Sequence, residues 1–155
     1  MGLSPLIFRR YLMTTNTERK YFDLHTRGIG YVNRLRTVTP KRGNPFTACT
    51  IAALRGTTDE PEYTYIDVRV YNEKAVELLE SCQDALGKKQ RVLIGFNIGD
   101  IYPECFTYEK GDKKGQFGCG LKGRLIKITL IKIDGYEVYR EGADENQSEP
   151  APAIA

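Results

Sequence analysis

The residues best suited to chemistry lie in an alternating run from Tyr63 to Tyr71. Successive side chains of a strand point to opposite faces, so the even positions, Thr64 to Val70, would form one apolar face. The odd positions would present polar and aromatic groups to solvent, namely Tyr63, Tyr65, Asp67, Arg69 and Tyr71. Rings of this kind stack on unpaired nucleobases, and a nearby guanidinium contacts phosphates. The pattern indicates a surface for a nucleic-acid strand; an aromatic ladder that only stiffens a sheet is the alternative.

A second candidate surface lies in the segment 99–120, where aromatic residues flank a basic turn. The turn contains three lysines and two glycines, and glycine lets a chain turn tightly and stay mobile. Rings beside such a turn can stack on bases while the lysines follow the phosphates. Phe106 and Tyr108, two positions apart, would share one face of a strand. The predicted contact residues of this segment are Phe106, Tyr108, Lys110, Lys113, Lys114 and Phe117.

Further cations lie in and before an earlier turn. Lys41 and Arg42 lie between Pro40 and Gly43, which are turn-forming residues. Arg34 and Arg36, two positions apart, would share one face of the strand that precedes this turn. An ordinary solvated turn is the alternative for both basic loops. Their common placement beside the tyrosine strand favours nucleic-acid binding.

These side chains need strands and a helix to position them. Five runs have strand character, and a helical stripe of apolar residues follows Asn72, a residue suited to the helix N-cap. Gly87 is expected to stop this helix. In the last strand the alternation slips at Leu125 and Ile126, which predicts a β-bulge. The predicted strands are residues 28–38, 45–54, 63–71, 90–98 and 121–134, with the helix over 73–86.

Three strands, a helix and two strands follow one another in the order of an OB-fold. The sequence therefore predicts a mainly β protein: a five-stranded OB-fold barrel with one helix between strands 3 and 4 and a long hairpin between strands 4 and 5. In this fold the loops after the first and fourth strands border the binding groove. Both basic turns described above would thus lie at one rim.

Charge and composition divide the chain into three parts. Residues 1–20 are expected to form a flexible N-terminal extension, with Met13 as the expected start of the native protein. Residues 21–136 would be the OB-fold nucleic-acid-binding domain, and residues 137–155 an acidic disordered tail. The tail has a net charge of −4, so residues 1–136 have a net charge of +7. A basic body with an acidic tail is common among nucleic-acid binders.

Most enzyme and metal-protein classes lack support in the sequence. His25 is the only histidine, and no C-x-x-C pair occurs among the four cysteines, so we expect no catalytic residues, no metal and no cofactor. Gly118–Gly123 spells G-x-G-x-x-G, but a β-branched strand follows where a dinucleotide site requires a helix. With neither a signal peptide nor a membrane-spanning run recognised, the expected location is the cytoplasm.

Several blocks resemble bacterial single-stranded DNA-binding proteins: Gly30–Leu35, Phe46–Ala53, Tyr65–Ala75 and Arg91–Ile98. The resemblance implies that Tyr65 and Tyr71 stack on bases, together with Phe106 or Tyr108. Two runs, Asp23–Tyr31 and Phe106–Gly111, more closely resemble replication proteins carried by integrative and conjugative elements. The chain departs from the housekeeping proteins in having no tryptophan.

The resemblance and the residues together predict binding of single-stranded DNA with little sequence preference, during replication or transfer of a mobile genetic element. The resemblance also implies a homo-oligomer, a dimer or tetramer, with replication or conjugation proteins as further partners. No segment of the sequence is long enough to span a membrane, so we expect no membrane association. Two alternatives remain open: an OB-type protein-interaction module acting as a replication accessory factor, and an RNA-binding protein.

Overall fold

The computed structural model describes residues 20–142, so the expectations for residues 1–19, including the start at Met13, and for residues 143–155 lie outside the described residues. Eight elements follow one another in the described range. They are β1 (His25–Val38), β2 (Phe46–Gly56), β3 (Pro61–Val70), α1 (Glu73–Ser81), α2 (Gln83–Gly87), β4 (Val92–Thr107), β5 (Phe117–Ile133) and β6 (Tyr136–Arg140).

The first five strands form a closed barrel. Hydrogen bonding gives the strand order β3-β2-β1-β4-β5-β6, and β3 also pairs with β5. The β3–β5 pairing is parallel, from Ile66 opposite Leu121 to Val70 opposite Leu125, and the other pairings are antiparallel. With the helices between β3 and β4, this is the OB-fold that the sequence predicts.

The core follows from the alternation of the strands and the stripe of the helix. On β3 the predicted inward residues Ile66, Val68 and Val70 are buried, and so are Leu125 and Ile98 of the facing strands. The helical stripe adds four more buried side chains, which are Ala75, Leu79, Cys82 and Ala85. Full burial of a side chain such as Leu79 contributes about 1.5–3 kcal/mol to folding.

The helical segment begins as predicted but is not one helix. The Asn72 side chain accepts a hydrogen bond from the Lys74 amide at 2.8 Å, which caps α1. The helix breaks at Cys82, where the Ser81 hydroxyl donates to the Leu78 carbonyl and so competes with the backbone ladder. The second helical segment ends at Gly87, as predicted, but the left-handed conformation that follows the helix is taken by Lys89, with φ 59°, and not by the glycine.

The predicted long hairpin between strands 4 and 5 consists mostly of paired strand. β4 continues to Thr107 and β5 begins at Phe117, and the pairing is unbroken from Tyr102 opposite Lys122 to Thr107 opposite Phe117. At the tip, Gly115 adopts φ 86°, and its amide donates to the Tyr108 carbonyl. We call Tyr102–Lys122 the arm. It extends past the end of the barrel because no third strand pairs with its outer half.

Irregularities in the strands redirect several side chains. The bulge predicted at Leu125 and Ile126 is confirmed, because β4 pairs with Leu125 and Lys127 and skips Ile126. A second irregularity, which the sequence analysis did not anticipate, lies in β1 at Arg34, with φ 52°. The expectation that Arg34 and Arg36 share one face is therefore wrong, since the regular two-residue period is broken between them.

A sixth strand lies where the sequence analysis begins the acidic tail. Ile133 pairs with Tyr136 across the two-residue turn Asp134-Gly135, in which both residues have positive φ, as a type I′ turn requires. The Tyr139 side chain then packs against the core. The folded domain thus continues beyond residue 136, and a tail can begin only after β6.

Candidate nucleic-acid interface

Three tyrosines from two strands gather on the outer face of the barrel. The register aligns Tyr31, Ala52 and Tyr65 across β1, β2 and β3, so their side chains lie on one face. The Tyr63 ring lies between the other two, with its centroid 6.4 Å from each. Ala52 is buried at the centre of this row. We call Tyr31, Tyr63 and Tyr65 the tyrosine cluster; its edges and faces remain accessible, and Tyr65 is 61% exposed.

Three arginines form a second line across the same face. Arg36 lies opposite Ala48, Ala48 opposite Arg69, and Arg69 opposite Arg124 of the parallel strand β5. We call Arg36, Arg69 and Arg124 the arginine row.

Aromatic rings support two of these cations. The Arg69 guanidinium lies 4.1 Å from the Phe46 ring centroid and 4.9 Å from that of Tyr71. The Arg124 guanidinium also lies over the Tyr71 ring, 5.3 Å from its centroid. Cations placed within about 6 Å of a ring are attracted to its face. Tyr71 therefore holds two arginines at the surface while keeping about half of its own area exposed.

Two grooves run beside each other on this face. The tyrosine groove, about 760 Å³, is lined by the tyrosine cluster together with Arg34, Lys89 and Arg91. The arginine groove, about 510 Å³, is lined by the arginine row with Phe46, Tyr71, Tyr102 and Lys122. Tyr65 of the first and Asp67 of the second are two residues apart on β3, so the grooves are neighbours.

The predicted contact residues of the barrel distribute between these grooves. Arg34, Tyr63 and Tyr65 line the tyrosine groove, and Arg36, Arg69 and Tyr71 line the arginine groove. Lys41 and Arg42 line neither; they are exposed in the turn that joins Val38 to Phe46, two residues that do line the arginine groove. The structure thus places this basic turn at the rim of the groove.

The arm carries its aromatic residues on two different faces. Phe106 and Tyr108 share one face, as predicted, and their rings meet edge to face at 5.0 Å. They pack over Gly118, where an added Cβ would lie 2.7 Å from the Phe106 ring. By strand alternation this is also the face of Tyr102 and Lys122, which line the arginine groove. The arm therefore continues the grooved face of the barrel.

Phe117 does not join these rings. It lies opposite Thr107 on the other face of the arm and is 86% exposed. At the tip, the Lys113 ammonium lies 5.6 Å from the Tyr108 ring centroid, and Lys110 and Lys114 are exposed. The sequence analysis predicted a common face only for Phe106 and Tyr108, and Phe117 lies on the opposite face because it pairs with Thr107, the residue next to Phe106.

Carboxylates balance part of the positive charge of the arginine groove. Asp100, in the left-handed conformation at φ 54°, accepts hydrogen bonds from Arg124 at 2.8 and 2.7 Å. Lys122 pairs with Glu104 at 3.2 Å. Asp67 accepts a hydrogen bond from the Thr50 hydroxyl. Within the described residues no carboxylate lies within ion-pair distance of Arg36 or Arg69, so these two cations are the ones available to an incoming anion.

Several residues of the site were not singled out in the sequence analysis. Lys122 and Arg124 alternate along the last predicted strand, and two cations with this spacing are a usable signal. Tyr102 follows the same alternation as Phe106. Tyr31, Phe46 and Arg91 gave no local signal, because their place in the site depends on which strands pair.

The described residues show neither a membrane-spanning helix nor a metal cluster. None of the helices in residues 20–142 is long and apolar enough to cross a membrane. In the same range no three or more histidine, cysteine, aspartate or glutamate side chains are grouped so that they could hold a metal ion.

Comparison with known proteins gives one match. A family model described as a protein of unknown function (DUF3577) matches residues 15–147. No curated protein and no solved structure matches the chain.

Proposed function

The chain belongs to the family described as a protein of unknown function (DUF3577), and we propose that it binds single-stranded DNA with little sequence preference. The observation that carries the proposal is the outer face of the barrel, where the tyrosine cluster and the arginine row lie side by side. Rings on such a face stack on bases, and cations beside them contact the phosphates. Without a binding role, a group of exposed aromatic side chains such as the tyrosine cluster would be energetically unfavourable on the surface of a protein in water.

The arrangement favours a single strand over a duplex. Bases in a duplex are stacked on one another, so their faces are not accessible to protein rings, whereas a single strand can turn its bases outward. Two neighbouring grooves of about 760 and 510 Å³ are of the size that accommodates small organic groups. Stacking tolerates every base, because every base has a π-face, and this explains the expected lack of sequence preference.

The biological setting of the proposal depends on the resemblance to replication proteins of integrative and conjugative elements. We place the activity in replication or transfer of a mobile element in the cytoplasm. A homo-oligomer, a dimer or tetramer, and contacts with replication or conjugation proteins complete the proposal. Exposed apolar side chains outside the grooves, among them Phe22, Tyr136 and Val138, are compatible with contacts between subunits.

The test is a titration of the full chain with oligo-dT of several lengths, and with a matched duplex, at two salt concentrations. We expect oligo-dT to bind more tightly than the duplex by orders of magnitude. With about four to six phosphate contacts, log affinity should fall against log salt with a slope of roughly −0.7 per contact. Equal affinity for duplex, or affinity indifferent to salt, would contradict the proposal.

Competition between matched DNA and RNA oligomers separates the two nucleic-acid hypotheses. If the RNA oligomer displaces bound DNA at a lower concentration than the matched DNA oligomer does, the result would identify an RNA-binding protein. If neither DNA nor RNA binds to a protein that circular dichroism shows to be folded, the result would favour the protein-interaction module.

A further inference from the structure

The arm carries two cysteines directly opposite each other. Cys105 of β4 and Cys119 of β5 are register partners, and their Sγ atoms lie 2.8 Å apart. Both side chains are exposed, whereas Cys49 and Cys82 are buried in the core. Burial raises the pKa of the Cys49 thiol to about 12, which makes it a poor nucleophile. The thiols open to a reagent in solution are therefore those of the arm.

The backbone of the arm suits a covalent link at this position. The Tyr108 amide donates to the Gln116 carbonyl, and the Gly115 amide donates to the Tyr108 carbonyl, so this level of the hairpin is hydrogen-bonded. Hydrogen-bonded and non-hydrogen-bonded pairs alternate along an antiparallel ladder. Cys105 and Cys119 lie three residue pairs from Tyr108 along the unbroken register, so they form a non-hydrogen-bonded pair.

The two backbones are close enough at such a pair. Cα atoms of a non-hydrogen-bonded pair lie about 4.5 Å apart, and a disulfide spans Cα separations of about 4.4–6.8 Å. A link between Cys105 and Cys119 thus needs no change of register and no separation of the strands.

We propose that Cys105 and Cys119 are the site of a reversible intramolecular disulfide that locks the two strands of the arm in register. With glutathione disulfide as the oxidant, the thiolate of one cysteine attacks a glutathione sulfur, and one glutathione thiolate leaves. The second cysteine loses its proton and attacks the protein sulfur of the mixed disulfide, and the second glutathione leaves. The cysteine pair loses two electrons and two protons, which convert one glutathione disulfide to two glutathione molecules.

The disulfide would stabilise the part of the sheet that has the fewest other pairing and packing contacts. The outer half of the arm, beyond Glu104, pairs only with itself, and most of its side chains are exposed. A disulfide between residues 105 and 119 removes many open conformations of the segment that it encloses. Phe106 and Tyr108 lie on the opposite face from the two sulfurs, so the link holds the ring pair in place without covering it.

The experiment uses the reduced full chain, without nucleic acid, equilibrated in buffers of increasing glutathione disulfide. We expect the free thiols, titrated after unfolding, to fall from four to two. Intact mass should fall by two hydrogen atoms, and peptide mapping should join Cys105 to Cys119. Amide exchange across the arm should slow by about tenfold or more, while exchange in α1 stays unchanged. Dithiothreitol should reverse all of these changes.

Cys105→Ser and Cys119→Ser are the matched controls, because both positions are exposed and either substitution leaves a single arm thiol. With glutathione disulfide, each variant should stop at a single glutathione adduct, because no second arm thiol is present to displace the glutathione, and it should keep its fast arm exchange. In the native chain, a disulfide between two chains, glutathione adducts without a link, or a link that leaves arm exchange unchanged would each overturn the proposal. Because the assay contains no DNA, its failure would leave the proposed function standing, and failure of DNA binding would leave the disulfide standing.

Discussion

At the residue scale, the alternation of β3 separates the residues of the proposed binding face from those of the core. Tyr65 and Arg69 point away from the barrel, and Ile66 and Val68, beside them in sequence, point into the core. A substitution on one face therefore affects one property and leaves the other nearly unchanged. The same strand thus offers a binding variant and a matched stability variant.

Tyr65→Ala and Tyr71→Ala should each weaken binding of oligo-dT by about 1–3 kcal/mol, because each removes a ring on which a base can stack. Thermal unfolding of both variants should stay close to that of the native chain. Equilibrium titration by fluorescence anisotropy measures the first effect and circular dichroism the second.

Ile66→Ala is the control for these variants, since this side chain is 2% exposed. It should reduce the free energy of unfolding by about 2–5 kcal/mol through a cavity, with normal affinity of the folded fraction. If the tyrosine variants unfolded and Ile66→Ala alone lost affinity, the two faces of the strand would have the opposite roles.

Asp67→Asn should strengthen binding of oligo-dT by about two- to fivefold at low salt and less at high salt, because it removes a negative charge from the groove that we propose receives phosphates. The asparagine oxygen can still accept the hydrogen bond of Thr50. Glu80→Gln removes the same charge from an exposed position of α1 that lines neither groove, and it should have a smaller effect. Equal effects of the two variants would indicate a general charge effect instead of a local one.

At the element scale, the two faces of the arm have different neighbours. One face continues the arginine groove through Tyr102, Phe106 and Tyr108, and the other presents Phe117 and the cysteine pair. Exposure alone does not tell which face binds DNA, since Phe117 is more exposed than Phe106. Continuity with the arginine groove favours the face of Phe106 for the proposed contact with DNA.

Phe106→Ala and Phe117→Ala form a matched pair that tests this assignment. Phe106→Ala should weaken binding of oligo-dT by about 1–3 kcal/mol, and Phe117→Ala should leave the affinity unchanged. Both titrations should be run under reducing conditions, so that the state of the cysteines is the same. The reverse outcome would assign the cysteine face of the arm to DNA.

Hydrogen exchange tests whether the arm responds to DNA as a unit. Exchange across Phe106–Phe117 should slow when oligo-dT is added, because phosphates neutralise the tip lysines and bases cover the rings. Exchange in α1, whose residues line neither groove, should change less. Equal changes in the two segments, or none in the arm, would place the DNA elsewhere.

At the scale of the whole molecule, charge is distributed unevenly along the chain. The body up to residue 136 has a net charge of +7 and the remainder one of −4. Part of that remainder belongs to the fold: β6 pairs with β5, and Glu141 forms an ion pair with Lys127 at 2.8 Å. A deletion that is meant to test the acidic segment must therefore begin after Gly142.

Removal of residues 143–155 should strengthen binding of oligo-dT slightly at low salt, because it removes three carboxylates, which repel phosphates, from a protein with a basic body. The difference should disappear at high salt, where screening shortens the range of the repulsion. Titrations of both chains at two salt concentrations measure it. Weaker binding by the shortened chain would make these residues part of the binding site.

The sequence by itself determined the features that depend on local period and local hydrogen bonding. The alternation of β3 assigned its two faces, Asn72 marked the start of the helix, and the slip at Leu125 and Ile126 located a bulge. The order of strands and helix was sufficient for the OB-fold. The turn Asp134-Gly135 is also a local hairpin signal, so β6 could have been predicted as well.

Only the tertiary structure decided which residues from separate strands meet. Tyr31 joins Tyr63 and Tyr65, Arg124 joins Arg69, and Cys105 lies opposite Cys119 because of strand register. Register depends on turns, on bulges such as the one at Arg34, and on the closure of the barrel by β3 and β5. A shift of one residue moves every side chain of a strand to the other face. Local patterns do not contain that information, since it arises from pairing between segments far apart in the chain.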